Sequence, residues 1–385
     1  MDHRWTSDFE VRPGPRLVVG PGSIDRLGRL ARELGAVRAL VVSDAGIIEA
    51  GHTAGALQSL AEAGVATTVF DAFGENPTTD HIEAGAQVAR EFRPDLLVGL
   101  GGGSSMDCAK GINFLFSCGG RMQDYRGRDS TRAPMLPSIA VPTTAGTGSE
   151  TQSFALVSDP ATGLKMACGA PGAAFRVAIL DADLTLTQPL SLVALTGIDA
   201  LSHAVESHVS RAATPASRIF SREAFRLLAT NLPGVFADGG SITDRSAVQF
   251  GAAIAGLAIE NSMLGAAHAL ANPLTATHHV AHGQAVGLML PHVVRFNGSH
   301  CGTGYAELLR EVGVDVPAAE AGERLAHWLS DLAAAAGLAC TLAAARVTAP
   351  DIGTLAAEAA TQWTAGFNPR PVTVTDLAAL YEAAR

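Results

Sequence analysis

The first half of this chain alternates short apolar runs with segments of helical period, and that alternation limits the folds open to it more than any other feature. The runs are RALVVSD (38–44), VATTVF (65–70), DLLVGL (95–100), SIAVPT (138–143) and FRVAILDAD (175–183). Helical spacing of apolar residues separates them at 54–63 and 80–92, and a further helix is expected from Ser104. Alternating strand and helix predicts a parallel sheet covered on both faces, and continuous apolar strands fit such double cover. Right-handed crossovers then bring the C-terminal ends of all strands to one edge, where ligands of open α/β sheets bind.

Past Glu150 the pattern changes. VSDPATGLKMACG reads as a hairpin, and from Ser191 onward Ala- and Leu-rich segments of helical spacing dominate, at 217–228, 244–259, 319–336 and 376–384. The expected organisation is an α/β domain over 1–190 and an all-α domain over 191–385, packed against each other around a cleft. Hydrophobic residues make up 48% of the 385, enough for large cores and against disorder. No run of 18 apolar residues predicts a membrane span, and MDHRWTSDFE has no apolar stretch of a secretory leader. A net charge of −10 without Lys/Arg blocks argues against nucleic acid as a partner. Five cysteines at irregular spacing, with no CxxC, predict neither a disulfide framework nor a zinc ribbon; a cytoplasmic chain with buried thiols is expected.

Two loops at the expected sheet edge carry chemistry. In LVGLGGGSSMDCAK (97–110) an apolar strand runs into Gly101, Gly102 and Gly103, and Ser104 opens a helix. Glycines let a ligand approach the backbone, and free N–H groups at a helix start favour a pyrophosphate. The turn matches neither GxGxxG nor the P-loop pattern, so alone it is equally an ordinary strand-to-helix turn. VPTTAGTGSE (141–150) adds the hydroxyls of Thr143, Thr144 and Thr147 at a neighbouring strand end. Asp44, ending RALVVSD, could take two ribose hydroxyls and repel a 2′-phosphate, favouring NAD over NADP, or it could simply cap the next helix.

The helical half carries a metal-ligand pattern. In TGIDALSHAVE (196–206), Asp199 and His203 stand four apart and share a helix face. His268 follows in an apolar, small-residue helix, and His282 precedes Gly283, where a new helix is expected. Three imidazoles and one carboxylate suit Fe²⁺ or Zn²⁺ better than Mg²⁺ or Ca²⁺. An Asp–His pair at this spacing can also be a plain hydrogen-bonded pair, and His278 and His279, in a loop expected after Pro273, are rival ligands.

GGGSSMDCAK, VPTTAGTGSE, TGIDALSHAVE, the interval from His268 to His282 and MLPHVVRFN occur in an order that resembles the iron-containing (group III) alcohol dehydrogenases over most of the chain. The resemblance implies a dehydroquinate synthase-like architecture, with a Rossmann-like parallel-sheet domain and a helical domain. It also implies NAD(H)-linked interconversion of a small alcohol and aldehyde, and a homodimer or higher homo-oligomer. The family's metal ligands fall on Asp199, His203, His268 and His282, its pyrophosphate loop on Gly102, Gly103 and Ser104, and its threonine loop on Thr143, Thr144 and Thr147. Its NAD-selecting Asp falls on Asp44, the Asn of its NPT turn on Asn76, and a Lys near the nicotinamide ribose on Lys165. One departure stands out: where many members carry a further His four residues after the third ligand, this chain has Asn272. Three other readings share part of this pattern: a maleylacetate-reductase-like or hydroxyacid-specific oxidoreductase, a dehydroquinate-synthase-like lyase, and an inactive scaffold or filament subunit. The second half has no lysine, which disfavours the lyase, and the intact ligand positions disfavour the scaffold.

Overall fold

The computed structural model describes residues 8–127 and 133–385; residues 1–7, where no leader was expected, lie outside them. The chain divides into two compact units, Pro13–Gln188 and Pro189–Arg385, with the described residues up to Arg12 belonging to the second.

In the first unit, six strands form one parallel sheet: β1 (Arg16–Val19), β2 (Arg38–Val42), β3 (Ala66–Phe70), β4 (Leu96–Gly101), β5 (Ser138–Pro142) and, after the hairpin, β8 (Val177–Leu180). Their spatial order is β1-β8-β5-β4-β2-β3. The hairpin β6 (Phe154–Asp159) and β7 (Leu164–Gly169) is antiparallel and forms a separate sheet. Helices α1 (Leu27–Glu33), α2 (Ala45–Glu49), α3 (His52–Glu62), α4 (Thr79–Phe92) and α5 (Gly103–Cys118) connect the strands. Strand β1 has no counterpart among the expected runs; only four residues long and with one fully buried side chain, it carries little apolar signal.

Both faces of the sheet are covered, so β2, β4, β5 and β8 are almost wholly buried. Leu40, Val42 and Leu97 pack with Ile82, Ala86 and Ile112 of α4 and α5 on one face. Ala39, Val41, Leu96 and Val98 pack with Leu27, Leu30, Ala56 and Leu60 of α1 and α3 on the other. The alternation follows the two-residue period of a strand. From β2 the chain moves outward to β3, whereas from β4 it moves the opposite way to β5. The C-terminal ends of β2 and β4 therefore flank a topological switch point, where ligands of such sheets bind.

The second unit is helical: α6 (Leu190–Val209), α7 (Pro215–Asp238), α8 (Ile242–Glu260), α9 (Ala266–His278), α10 (His282–Arg310), α11 (Ala318–Ala335), α12 (Ile352–Thr361) and α13 (Val374–Ala383). From Gly197 to Val209 every residue of α6 is buried, so it is wrapped by its neighbours rather than amphipathic. Helix α9 runs through Pro273 instead of ending there, which corrects the expected loop: His278 is the last helical residue and His279, at φ 54°, caps it. The missing N–H of Pro273 removes one backbone bond, which the buried packing around it tolerates. All five cysteines are free; Cys108 and Cys168 are buried as expected, but Cys340 is exposed. Among the described residues no helix is long and apolar enough to cross a membrane.

Candidate metal centre and dinucleotide cradle

The metal-ligand pattern converges in space. Asp199 and His203 lie one turn apart on α6, His268 lies in the first turn of α9, and His282 opens α10. Three imidazole nitrogens approach one oxygen, Asp199 Oδ1: His203 Nε2 at 3.4 Å, His268 Nε2 at 3.5 Å and His282 Nε2 at 3.7 Å. Donors around a tetrahedral ion with bonds of about 2.1 Å stand about 3.4 Å apart, so these separations suit a shared cation. Asp199, His268 and His282 each offer a donor atom within 4.8 Å of the others. His203 lies outside that set, but it reaches Asp199 and stacks on the His268 ring at 5.0 Å between centroids. Neither Asp199 Oδ1 nor His268 Nε2, both buried, makes a hydrogen bond of acceptable geometry. Buried polar atoms left this way are costly unless a further group satisfies them, and a divalent ion of the Fe²⁺ or Zn²⁺ type fits this donor set.

The electrostatics agree. Burial alone would raise the Asp199 carboxyl, but the facing imidazoles hold it well below the usual carboxylate range. Burial alone would lower His268, yet Asp199 and Glu206 outweigh it and push the imidazole up to about 9. A cation binding there at neutral pH therefore displaces a proton. The rivals His278 and His279 belong to no such cluster among the described residues. Asn272, one turn beyond His268, donates from Nδ2 to Gln362 Oε1 at 2.9 Å.

The first unit gathers the other expected residues at the switch point. Gly101, at φ +142°, ends β4, and Gly102 and Gly103 open α5, whose first turn no side chain caps. Its N-terminal amides are thus available to an anion. A Cβ on Gly103 would stand 2.8 Å from Thr147 Cγ2, and one on Gly102 3.5 Å from Thr144 Cγ2, so the two loops pack against each other. Thr143 is buried, its amide donates to Gly101 O at 3.0 Å, and its hydroxyl lacks a hydrogen-bond partner. Asn76, at φ 53°, donates from its amide to Ser104 Oγ at 3.3 Å and accepts from Lys165 Nζ at 2.8 Å. Asp44 caps α2 through Ile47 N at 3.2 Å and accepts from Ser105 Oγ at 3.0 Å, beside Gly101. The capping alternative for Asp44 is therefore realised.

Two groups of residues escaped the sequence reading. Lys110, 2% exposed, donates to Ser149 O at 2.7 Å, Ser149 Oγ at 2.9 Å and Phe154 O at 2.7 Å, while Ser149 Oγ donates to Asp107 Oδ1 at 2.6 Å. This clamp ties α5 to the threonine loop; its signal was the D-x-x-K spacing within GGGSSMDCAK. Glu206, the last residue of TGIDALSHAVE, lies one further turn along the Asp199–His203 face, and its Oε2 stands 2.6 Å from His268 Nδ1.

Comparison with known proteins matches these features. Residues 14–182 match the family model described as iron-containing alcohol dehydrogenase, and residues 193–385 match the C-terminal model of the Fe-containing alcohol dehydrogenase family. The chain is 34% identical to the NAD-dependent methanol dehydrogenase of Bacillus methanolicus, over 96% of this chain and 98% of that one. Among solved structures, a 1,3-propanediol oxidoreductase superposes with a TM-score of 0.95 at 31% identity, covering 98% of this chain and 100% of the other. The sulfoacetaldehyde reductase of Bifidobacterium kashiwanohense, solved in complex with NAD⁺, gives 0.89 at 27% identity, covering 98% and 99%.

Proposed function

The chain belongs to the iron-containing alcohol dehydrogenase family, and from that premise we propose that it is an NAD(H)-linked, metal-dependent alcohol dehydrogenase or aldehyde reductase acting on a small alcohol or aldehyde. The observation that carries this reading is the approach of three imidazole nitrogens to one buried carboxylate oxygen within 3.4–3.7 Å. When bound, a divalent ion supplies Lewis acidity toward a substrate oxygen, and the nicotinamide supplies or accepts a hydride.

The chain's own residues then have separable tasks. Asp199, His203, His268 and His282 hold the ion, the carboxylate lowering the net charge of the site. Burial of Asp199 and His268 keeps competing water from those donors. The uncapped first turn of α5, with Gly102, Gly103 and Ser104, receives the pyrophosphate. Thr143, Thr144 and Thr147 line the same edge and offer hydroxyls. Asn76 and Lys165, already bonded to each other, present an ammonium toward the ribose side. Asp44 selects NAD over NADP by repelling a 2′-phosphate. With an amide at Asn272, no imidazole stands one turn beyond His268 to carry the substrate proton, which leaves water, a ribose hydroxyl of the cofactor, His278 or His279 to serve instead. On this reading the cofactor belongs to the 1–190 domain and the metal to 191–385, in a cytoplasmic homo-oligomer that binds neither nucleic acid nor membrane.

The test is anaerobic loading with Fe²⁺ or Zn²⁺, followed by NADH oxidation over aldehydes of varied length and charge. One ion per chain is expected, and His268→Ala should lose metal and turnover together. Full turnover by a metal-free His268→Ala protein would refute the assignment.

A further inference from the structure

The helix that carries His268 begins without a cap of its own. Its N-cap is Gly265, and two backbone donors of its first turn are satisfied from elsewhere in the sequence. Ala267 N donates to Glu206 Oε1 at 2.7 Å, and Ala266 N donates to Asn368 Oδ1 at 3.3 Å. The other oxygen of Glu206 faces His268 Nδ1 at 2.6 Å. Asn368 is fixed by a reciprocal amide pair with Asn297: Asn297 Nδ2 donates to Asn368 Oδ1 at 3.0 Å, and Asn368 Nδ2 donates to Asn297 Oδ1 at 2.8 Å. Asn368 Nδ2 also donates to Arg370 O at 2.6 Å. Glu206, Asn297 and Asn368 are all buried. A Cβ at position 265 would stand 2.9 Å from Glu206 Oε1 and 3.1 Å from Asn368 Oδ1, so only glycine fits between them.

We infer that Glu206 is the positioning residue of the metal centre, fixing both the orientation and the tautomer of His268, and that Asn368 and Asn297 hold the helix start against it. This role rests on the metal reading above. Because Glu206 Oε2 accepts the Nδ1 proton, the neutral ring has its lone pair on Nε2, the atom 3.5 Å from Asp199 Oδ1. Because Glu206 Oε1 also accepts from Ala267 N, the carboxylate cannot rotate without losing a buried bond. Carboxylate partners of metal-bound imidazoles act in this way, and their loss costs about 10–100-fold in metal affinity.

The isosteric variant Glu206→Gln separates this role from simple packing. If the oxygen of the new side-chain amide keeps the bond from Ala267 N, its NH₂ faces His268 Nδ1. That nitrogen must then accept, and the proton moves to Nε2, where the metal should bind. If the amide flips, two donors meet at Ala267. Either way the metal site suffers while the packed volume is unchanged.

The measurement is anaerobic Zn²⁺ and Co²⁺ affinity by chelator competition, with His ¹⁵N chemical shifts in the Zn²⁺-loaded wild type. Wild type should bind one ion with His268 coordinating through Nε2 and Nδ1 still protonated. Glu206→Gln should bind at least tenfold more weakly. Unchanged affinity in Glu206→Gln overturns the inference while leaving the metal reading intact. Should that variant fail to fold, coordination of His268 through Nδ1 in wild type overturns it equally. A wild type that binds neither ion overturns the metal reading itself and this inference with it.

Discussion

Lys110→Met tests whether the threonine loop is held by a buried ammonium. Lys110 is 2% exposed, so water cannot replace it when it is removed. Its loss removes a charged donor from Ser149 O, Ser149 Oγ and Phe154 O, although Ser149 O keeps Gln152 N and Ser149 Oγ keeps Asp107, and hydrogen bonds to charged groups contribute about 1.5–3 kcal/mol each. It also removes the cation nearest Asp107, whose carboxyl burial already pushes up and which Lys110 and Ser149 draw partly back. Methionine recovers some apolar contact and Asp107 can take a proton, so the net loss is about 3–5 kcal/mol, the range for breaking a buried pair. For a unit of this size that lowers the melting temperature by roughly 10 °C. Differential scanning calorimetry measures it, and NADH titration by fluorescence should show at least a tenfold weaker complex as the loop loosens. Metal stoichiometry should not change, because all four expected ligands lie outside Pro13–Gln188. A melting shift below about 2 °C, with NADH affinity retained, would refute the clamp.

Three other outcomes are expected. Wild type should bind NADH far more tightly than NADPH, and Asp44→Gly should narrow that gap at least tenfold in fluorescence titration; equal binding of the two by wild type removes the role assigned to Asp44. Glu150 is pushed up to about 7 by burial, against 4.5 ordinarily. The folded chain therefore keeps a proton that the unfolded chain releases, and this group's contribution to stability falls as pH rises from 4.5 to 7, by about 3 kcal/mol. Glu150→Gln should flatten that slope in urea titrations at pH 5 and pH 8, and an unaltered slope sinks the assignment. Asn272→His should keep its contact to Gln362 and add a titrating group near the reacting centre, so the pH profile of kcat/KM gains a limb near pH 6.5; identical profiles mean that the substitution is chemically silent.

Much of the fold could be read from the residues because its signals are local. Strands β2 to β5 and β8 are mostly apolar and bounded by turns, and the start of α5 follows from a glycine turn. Strand β1 was not legible, because an edge strand buried on one side needs few apolar residues. Helix α9 was cut short at Pro273 because local propensity disfavours a mid-helix proline, whereas buried neighbours tolerate it. The metal set was legible from one i, i+4 pair and two later imidazoles in the family's order. The groups that orient it were not: Glu206 meets His268 across 62 positions of sequence, and Asn297 meets Asn368 across 71. Such pairs carry no periodicity and are set by tertiary packing alone.

The four expected ligands are not equally enclosed. The side chains of Asp199, His203 and His268 are 4–7% exposed, whereas that of His282, at the very start of α10, is 35% exposed. On the proposed reading a bound ion would meet the medium on the His282 side, while the three buried donors form a preformed half-shell. Loss of the His282 ring would remove a donor and open that side to water, so it should speed ion release as well as weaken binding.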